Sequence, residues 1–332
     1  MSGGGAGAPL ASPAPASYSR CMERLDGGTN VPAHLRGAVV ALGNFDGFHL
    51  GHQAVAGRAI ARARAEGRPA IIATFDPHPV RFFRPESEPF RLTTLDQRER
   101  LFAGAGADAM LVFRFDAELA ALSARRFVEG RLLGLLGVAG VVTGEDFTFG
   151  YKRDGDTAVL AALGREHGFT VDTVGPVADG GEPVSSSRIR ALLREGKPRA
   201  ATALLTRPFA IAGVVQPGDQ LGRTIGYPTA NVALGTYLRP AYGIYAARTR
   251  LPDGRVIDGA VNIGVRPTFD PPKELLEVFL FDFAEDLYGQ AIEVALTDYL
   301  RPEARFDGLD ALVAQMDRDC TQARALLARD GS

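Results

Sequence analysis

Several features that would assign this chain of 332 residues to a particular class of protein are missing. It has no tryptophan, which decides nothing about function, and only two cysteines, Cys21 and Cys320. Neither cysteine lies in a CxxC motif, so a disulfide framework or a cysteine-based zinc site is not expected. We interpret both as reduced thiols of a cytoplasmic protein, with Cys320 packed in a core.

Long apolar runs and an excess of one charge are also absent. No stretch of about 18 apolar residues occurs, so no transmembrane helix is expected. The 37 basic and 39 acidic residues give a net charge of -2, which offers no electrostatic case for binding to nucleic acid or to an anionic membrane. Residues 1–22 are rich in Gly, Ala, Ser and Pro and lack the regions of a secretory signal, so we expect a disordered tail.

The first of two sequence patterns covers residues 23–206. Apolar runs alternate there with amphipathic segments, and this alternation predicts an α/β domain with a doubly wound parallel sheet and helices on both faces. The predicted strands are Ala38–Leu42, Ala70–Thr74, Ala109–Phe113, Gly140–Thr143 and Thr170–Val174, and the predicted helices are Gln53–Glu66, Asp96–Ala105, Ser123–Leu136, Thr157–His167, Ser185–Glu195 and Pro198–Leu205.

The second pattern covers residues 207–332. Short β-rich runs separated by Gly, Pro and Asp-Gly turns predict a small antiparallel β-barrel. Apolar residues spaced by three and four between Leu309 and Leu327 predict a terminal helix that closes the barrel or packs beside it. The predicted barrel strands are Phe209–Gln216, Gly243–Arg250, Val256–Asn262, Leu275–Phe283 and Ala291–Leu300.

The most informative motif is GNFDGFHLGH at residues 43–52, between a predicted strand and a predicted helix. Such a turn presents backbone N–H groups to a phosphate, and the motif suggests chemistry on a nucleotide phosphate. His49 and His52 are three residues apart, so a helical continuation places both rings on one face, where they can donate to phosphate oxygens. The alternative is a tight turn with two surface histidines. The expected phosphate contacts in the turn, which the family resemblance given below assigns to ATP, are Gly43, Phe45, Asp46 and Gly47.

Two further motifs follow predicted strands of the same sheet. His78 lies in TFDPHP at 74–79, where two prolines predict an extended loop, and on its own it could be purely structural. In the loop at 142–150, Phe147 and Phe149 could flank a flat heterocycle, and Asp146 and Thr148 could hydrogen-bond its polar edge. Both phenylalanines could equally be core residues.

A serine motif, SSSRIR at 185–190, opens a predicted helix. Ser185 and Ser186 suit a helix cap, and the free N–H groups together with Arg188 and Arg190 suit a polyphosphate. A capped helix with solvated arginines explains the same residues.

The barrel half contains GRTIGYPTAN at residues 222–231. Gly222, Arg223 and Gly226 belong to a loop open enough for a phosphate chain to approach main-chain N–H groups. Thr229 and Asn231 supply the hard oxygen donors that Mg²⁺ favours. Glycine-rich loops that end in Pro-Thr are also common as plain turns.

Glu277 interrupts an apolar strand. Period-two alternation places it on the face of Phe279 and Phe281, opposite the aliphatic residues between them. A carboxylate in such surroundings is costly to desolvate and suits a general base for a substrate hydroxyl. The alternative is an exposed glutamate on an edge strand.

Together these motifs resemble those of the prokaryotic bifunctional riboflavin kinase/FAD synthetases. The adenylyltransferase half of that family has G-x-F-D-G-x-H-x-G-H, T-F-x-P-H-P, an F-x-F-G loop and S-S-x-x-I-R, all present here in order. The segment GRTIGYPTAN, the segment NIGVRPTF at 262–269 and residues 282–289 are similar to riboflavin kinases. The resemblance covers roughly residues 36–320, although H-x-G-H alone is shared by other nucleotidyltransferases.

The resemblance implies phosphorylation of riboflavin to FMN and adenylylation of FMN to FAD, with ATP as co-substrate and Mg²⁺ as cofactor. Thr229 and Asn231 then bind Mg-ATP, and Glu277 is the base. Many relatives have a histidine where this chain has Phe279. The implied partners are riboflavin, FMN and ATP, with no nucleic acid or membrane and at most a weak or transient homo-oligomer. The implied flavin contacts are His78, Asp146, Phe147 and Thr148.

Two other hypotheses remain open from the sequence. Only one half of the chain could be active, or the chain could be a flavin- or nucleotide-binding regulator without turnover.

Overall fold

A computed structural model describes residues 22–27, 30–217, 222, 226–266 and 273–329 of the chain. Residues 1–21 of the predicted tail lie outside the described residues, as does Arg223, one of the expected phosphate contacts.

The N-terminal half forms a six-stranded sheet in the order β1-β4-β3-β2-β5-β6. Every neighbouring pair is parallel, which confirms the predicted α/β architecture. The central strands are mostly apolar because helices cover both faces. The first strand was not predicted, since it is short and polar and is held by pairing with β4, which lies far along the chain. The strands are Glu23–Gly27 (β1), Val39–Leu42 (β2), Ala70–Asp76 (β3), Ala109–Arg114 (β4), Gly140–Gly144 (β5) and Thr170–Val174 (β6).

The helices follow the predicted pattern with three differences. A short helix replaces the extended loop predicted after His78, because Pro79 occupies the first helical position, where its fixed φ is favourable, and the His78 ring caps the helix. The predicted helix Ser123–Leu136 is α-helical only at its start and continues as a π-helix over Val128–Leu136. Helix α4 was not predicted. The helices are Leu50–Ala65 (α1), Pro79–Phe83 (α2), Leu95–Ala105 (α3), Ala117–Ala120 (α4), Ala124–Phe127 (α5), Thr157–His167 (α6), Ser186–Arg194 (α7) and Pro198–Leu205 (α8).

The C-terminal half is a closed antiparallel barrel in the order β10-β13-β12-β11-β14-β9, as predicted. Strand β10 was not predicted, because four residues carry too weak a pattern on their own. The terminal helix packs outside the barrel rather than closing it, and Cys320 is half-buried against that contact. The elements are the hairpin Ala178–Asp179 (β7) and Glu182–Pro183 (β8), the barrel strands Phe209–Gln216 (β9), Ala230–Ala233 (β10), Gly243–Arg250 (β11), Val256–Arg266 (β12), Lys273–Leu280 (β13) and Ala291–Arg301 (β14), and the helix Leu309–Arg329 (α9).

The two halves share a core rather than meeting at a polar surface. Helices α7 and α8 contribute Ile189 and Leu204 to the hydrophobic cluster that fills the barrel, together with Leu92 from the first half. A parallel bridge also joins Arg91 to Tyr237. The hydrophobic core is therefore continuous across the predicted boundary at residues 206–207, which stays a prediction.

Candidate active sites

The motif at residues 43–52 forms the predicted strand–turn–helix. His49 is the N-cap of α1, so the free N–H groups of the first helical turn lie directly beyond it. Phe45 and Phe48 have left-handed φ values of 49° and 41° and are almost completely buried. Their side chains pack edge-to-face with ring centroids 6.5 Å apart, which anchors a turn that non-glycine residues rarely adopt. Gly47, between them, has a φ of 85°.

His49 and His52 lie together, as the three-residue spacing predicted. Their rings stack with centroids 3.7 Å apart at 21°. The edge of His52 also contacts Phe45, at a centroid distance of 5.3 Å. Within the described part of the chain, the Nδ1 atoms of both histidines are buried without a hydrogen-bond partner. Buried polar atoms are nearly always paired, so this arrangement favours a bound ligand at the turn.

Both histidines are neutral at physiological pH. Burial lowers the pKa of His49 to about 4, although the nearby Asp46 carboxylate opposes the shift. Burial also lowers the pKa of His52 well below its ordinary value, and the neighbouring His49 ring contributes to this shift. Each ring can therefore donate one N–H to a phosphate oxygen without first losing or gaining a proton.

These pKa shifts predict a specific acid sensitivity. Between the unfolded pKa of 6.5 and the folded value of about 4, the unfolded chain binds a proton at His49 that the folded chain does not. The free energy of unfolding should therefore fall as the pH falls through this window, by about 3 kcal/mol for His49. Chemical denaturation across the window should show a smaller fall for His49→Gln. Equal falls in both proteins would contradict the assignment.

Asp46 was expected to contact ATP, and the structure gives its carboxylate several protein partners. It accepts hydrogen bonds from the backbone N–H groups of Leu92 and Thr93, each at 3.0 Å. It also accepts one from Arg190 at 2.7 Å. The Arg190 guanidinium further donates to the Phe90 carbonyl at 2.8 Å. Asp46 thus fixes the position of the Arg190 guanidinium beside the turn at residues 43–52, which we call the histidine turn.

The serine motif brings α7 to the same turn. Ser185 caps the helix by accepting from the Arg188 N–H at 3.2 Å, as predicted. Ser186 donates from Oγ to the Asp46 carbonyl at 2.9 Å. The two arginines diverge, because Arg188 pairs with Asp179 in the β7–β8 hairpin whereas Arg190 faces Asp46. The arginines are therefore engaged rather than solvated.

His78 lies on the wall of a cavity of about 100 Å³ between the two halves. Burial lowers its pKa to about 4, and its Nδ1 accepts from the Val80 N–H at 3.2 Å. Arg98 lines the same cavity, is almost completely buried and donates to Thr74 Oγ1 at 2.8 Å. The remaining lining residues are Asp46, Arg81, Pro89, Phe90, Arg91, Gly235 and Thr236.

The loop after β5 offers one core ring and one accessible ring. Phe149 is buried, and Phe147 stacks on it with centroids 5.6 Å apart and is only half-buried. Asp146 and Thr148 are exposed. This loop and His78 follow strands β5 and β3, which flank β2, so they share the carboxyl edge of the sheet with the histidine turn.

An aromatic cluster at the same edge was missed by sequence reasoning. Phe82 and Phe83 from α2 pack edge-to-face against Phe115, with centroids 5.4 and 5.8 Å away. Phe83 is 65% exposed, which is unusual for a phenylalanine. The sequence predicted an extended loop after His78, and an extended loop would not place Phe82 and Phe83 together. Helix α2 brings both of their rings against Phe115.

A second polar cluster lies on the barrel. Asn231, Glu277 and Asn262 are register partners on the adjacent strands β10, β13 and β12. Leu276 and Val278 on either side of Glu277 are buried in the barrel core, so the three polar residues share its outer face. Asn262 Oδ1 is buried without a hydrogen-bond partner among the described residues.

The alternation predicted around Glu277 is confirmed, and the edge-strand alternative is wrong. Strand β13 lies between β10 and β12 in a closed barrel, so Glu277 is not on an edge. Phe279, on the same face, packs against Tyr227 with centroids 4.9 Å apart. The glutamate therefore has an apolar neighbour on its own strand.

The glycine loop reaches this cluster at its described end. A Cβ atom on Gly222 would lie 2.2 Å from the Tyr227 carbonyl oxygen and 3.7 Å from Thr229 Oγ1. Gly226 has a φ of 87°, which a side chain rarely adopts. At Gly222 the backbone thus approaches the Tyr227 carbonyl in a way that only glycine allows. Thr229 directly precedes β10, two residues from Asn231.

Comparisons with known proteins match both halves. A model of the FAD synthetase family matches residues 31–188, and a model of the riboflavin kinase family matches residues 205–327. The bifunctional riboflavin kinase/FMN adenylyltransferase of Escherichia coli K12 is 41% identical over 288 residues, covering 87% of this chain and 92% of that protein. The chain belongs to this bifunctional family.

Other relatives agree in length and fold. The bifunctional enzyme of Pseudomonas fluorescens is 41% identical over 308 residues, covering 92% of this chain and 98% of that protein. A crystal structure from Streptococcus pneumoniae described as a macrolide-efflux protein is 31% identical with a TM-score of 0.76, covering 86% of this chain and 92% of that one. The description as an efflux protein applies to that Streptococcus pneumoniae protein and not to this chain. None of the helices described here is long and apolar enough to cross a membrane.

Proposed function

We propose that this chain phosphorylates riboflavin to FMN on the barrel and adenylylates FMN to FAD at the histidine turn. The observation that carries the proposal is the presence of two separate polar clusters, each with buried side-chain atoms that have no hydrogen-bond partner among the described residues. One cluster contains the Nδ1 atoms of His49 and His52, and the other contains the Oδ1 atom of Asn262 beside Glu277. One cluster lies in the half that matches the FAD synthetase family and the other in the half that matches the riboflavin kinase family. Two separate clusters fit two consecutive reactions, a phosphoryl transfer and an adenylyl transfer.

In the kinase reaction, Glu277 accepts the proton of the ribityl 5′-hydroxyl. That oxygen bonds to the γ-phosphorus of ATP, the bond from this phosphorus to the β,γ-bridging oxygen breaks, and ADP leaves. The barrel contributes mainly positioning and charge neutralisation, which is what phosphoryl transfer requires. The glycine loop around Gly222 would admit the phosphate chain close to Thr229.

The residues of the barrel cluster fit Mg²⁺. Thr229 and Asn231 would hold the ion, and the Oδ1 atom of Asn262, which has no partner among the described residues, is a further hard oxygen at the same level of the sheet. Magnesium prefers such oxygen donors and completes its shell with phosphate and water. The described residues contain no group of three His, Cys, Asp or Glu side chains that could hold a metal, so the hydroxyl and amide oxygens carry this role. When bound, the ion would neutralise phosphate charge.

In the adenylyltransferase reaction, an FMN phosphate oxygen bonds to the α-phosphorus of ATP, and pyrophosphate leaves. Neutral His49 and His52 donate hydrogen bonds to the phosphates as negative charge grows. Arg190, held by Asp46, adds a fixed positive charge. The backbone at Gly43, Phe45 and Gly47, the N-terminus of α7 at Ser185 and Ser186, and the more distant Arg188 surround the same turn.

The flavin ring would lie at the carboxyl edge of the sheet. Phe147 and exposed Phe83 offer aromatic surfaces, and Asp146 and Thr148 offer exposed polar groups for the ring edge. His78 would contact the flavin from the interdomain cavity. All substrates are small molecules, and we place this ATP-consuming enzyme in the cytoplasm as a monomer or weak homo-oligomer.

Labelled ATP tests the proposal and separates the two transfers. With riboflavin as substrate, ATP labelled at the γ-phosphorus should label FMN and then FAD. ATP labelled at the α-phosphorus should label FAD alone, because only the AMP moiety contains that atom. Flavin binding without either label in a product would identify a non-catalytic regulator and contradict the proposal.

A further inference from the structure

The backbone carbonyls of Gly47 and Phe48, just before His49, accept hydrogen bonds from Arg207. This residue belongs to the linker, residues 206–208, which leads from α8 into the barrel. The guanidinium of Arg207 donates from Nη2 to the Gly47 carbonyl at 2.7 Å, and from Nη1 to the Phe48 carbonyl at 3.5 Å. Its Nη1 also donates to the Leu205 carbonyl at 2.9 Å, which fixes the guanidinium to its own chain segment. Arg207 lies two residues before the first residue of β9, so it is close to the start of the barrel.

Gln53 makes a second connection between the same two segments. Its Nε2 donates to the Phe48 carbonyl at 2.9 Å and to Thr206 Oγ1 at 2.9 Å. The Phe48 carbonyl therefore receives hydrogen bonds from one residue of α1 and from one residue of the linker. Thr206 has a left-handed φ of 63°, so the linker itself adopts a specific bent conformation.

These carbonyls determine where the adjacent N–H groups point. A trans peptide is planar, so fixing the Phe48 carbonyl also fixes the His49 N–H in the opposite direction. Phe48 has a left-handed φ that costs free energy unless its surroundings hold it. The contacts from Arg207 and Gln53 hold this strained peptide directly before the histidine pair and the free N–H groups of α1.

Arg207 also brings positive charge to the site. Burial lowers its pKa to about 10, so the guanidinium stays charged at physiological pH. Its charge is one of the influences that lower the pKa of His49, which places it within electrostatic range of that ring. A phosphate bound at the histidine turn would therefore also be attracted by the positive charge of Arg207.

We propose that Arg207 is a positioning residue of the adenylyltransferase site, although it lies within the stretch matched by the riboflavin kinase family. It holds the Gly47–Phe48 and Phe48–His49 peptides so that the His49 N–H, the histidine rings and the N-terminus of α1 face the phosphates of ATP. The adenylyltransferase site is therefore incomplete without the first residues of the kinase half.

The test uses the full-length chain, with kinase activity as an internal measure of folding. Arg207→Ala should lower kcat for FMN adenylylation about ten- to a hundred-fold, as expected for a displaced reactive geometry, with KM for ATP and FMN changed less than kcat. Riboflavin phosphorylation in the same preparation should stay within about two-fold. Arg207→Lys should recover part of the loss, because the charge remains while the two-pronged contact with carbonyl groups is lost.

Arg199→Ala is the matched control. Arg199 also joins the linker region to the barrel, but it does so from α8 by pairing with Asp298 on β14. This variant should keep adenylylation within about two-fold, as expected for a partly exposed ion pair. The proposal would be overturned if Arg207→Ala kept normal FAD formation, if only its KM rose, or if both activities fell together without recovery in Arg207→Lys.

Discussion

Replacement of Glu277 by alanine should abolish formation of FMN from riboflavin while FAD formation from supplied FMN continues. Glu277 pairs in register with Asn231 and Asn262 on the two adjacent strands, so the proposed proton acceptor lies beside the proposed oxygen donors for a metal. Loss of a general base lowers the rate by about 10²- to 10⁴-fold. The adenylyltransferase cluster does not include this residue, so its rate should be unchanged.

Two further variants distinguish proton transfer from packing. Glu277→Gln keeps the shape of the side chain but cannot accept the proton, so it should be as inactive in the kinase assay as Glu277→Ala. Glu274→Ala, on the same strand, removes a carboxylate that bonds to Arg239 and Tyr242, and it should keep most of the kinase activity. Unchanged kinase activity in Glu277→Ala would remove this glutamate from the mechanism.

Replacement of His52 by alanine should have the opposite effect. FAD formation from FMN should fall by about 10²- to 10³-fold, the usual cost of removing a donor that stabilises growing charge. The loss includes an indirect part, because His52 stacks on His49 and its removal frees that ring. Riboflavin phosphorylation on the barrel should continue at its normal rate, and FMN should accumulate.

A surface histidine provides the matched control for this variant. His167, at the end of α6, lies near Glu129 and Glu166 on the far side of the domain from the motif. His167→Ala should leave both activities unchanged. If His52→Ala still made FAD at the normal rate, the histidine turn would not be the site of adenylyl transfer.

The parts of the fold with strong local periodicity could be predicted from the sequence. Strand β2, the glycine turn and α1 follow from a continuous apolar run, a glycine spacing and an amphipathic pattern, and all are present. The placement of Glu277 on the same face as Phe279 and Phe281 follows from period-two alternation alone. In each case the signal lies within a few residues of the element that it predicts.

The parts that depend on distant contacts could not be predicted. Strand β1 is polar and is defined by its pairing with β4, and α2 depends on a proline that suits a helix start as well as a loop. Asn262 is part of the barrel cluster only because its strand neighbours Glu277. Arg98 and Arg207 resemble ordinary surface arginines in the sequence, and only tertiary packing brings them to the histidine turn.

One departure from the family pattern has a structural explanation. The family resemblance implies a histidine in many relatives where this chain has Phe279, and the Phe279 ring packs against Tyr227 and Phe281, with centroids 4.9 and 5.8 Å away. An apolar ring fits this position because it continues the cluster beneath α9. Glu277 retains its place on the strand, so the proposed base does not depend on the missing histidine.

The most direct test of two independent sites compares Glu277→Ala and His52→Ala in both half-reactions. Each variant is assayed for FMN formation from riboflavin and for FAD formation from FMN, with the products separated by chromatography. We expect Glu277→Ala to lose only the first reaction and His52→Ala to lose only the second. Loss of both reactions in either variant, with the fold intact, would contradict the assignment of one reaction to each half of the chain.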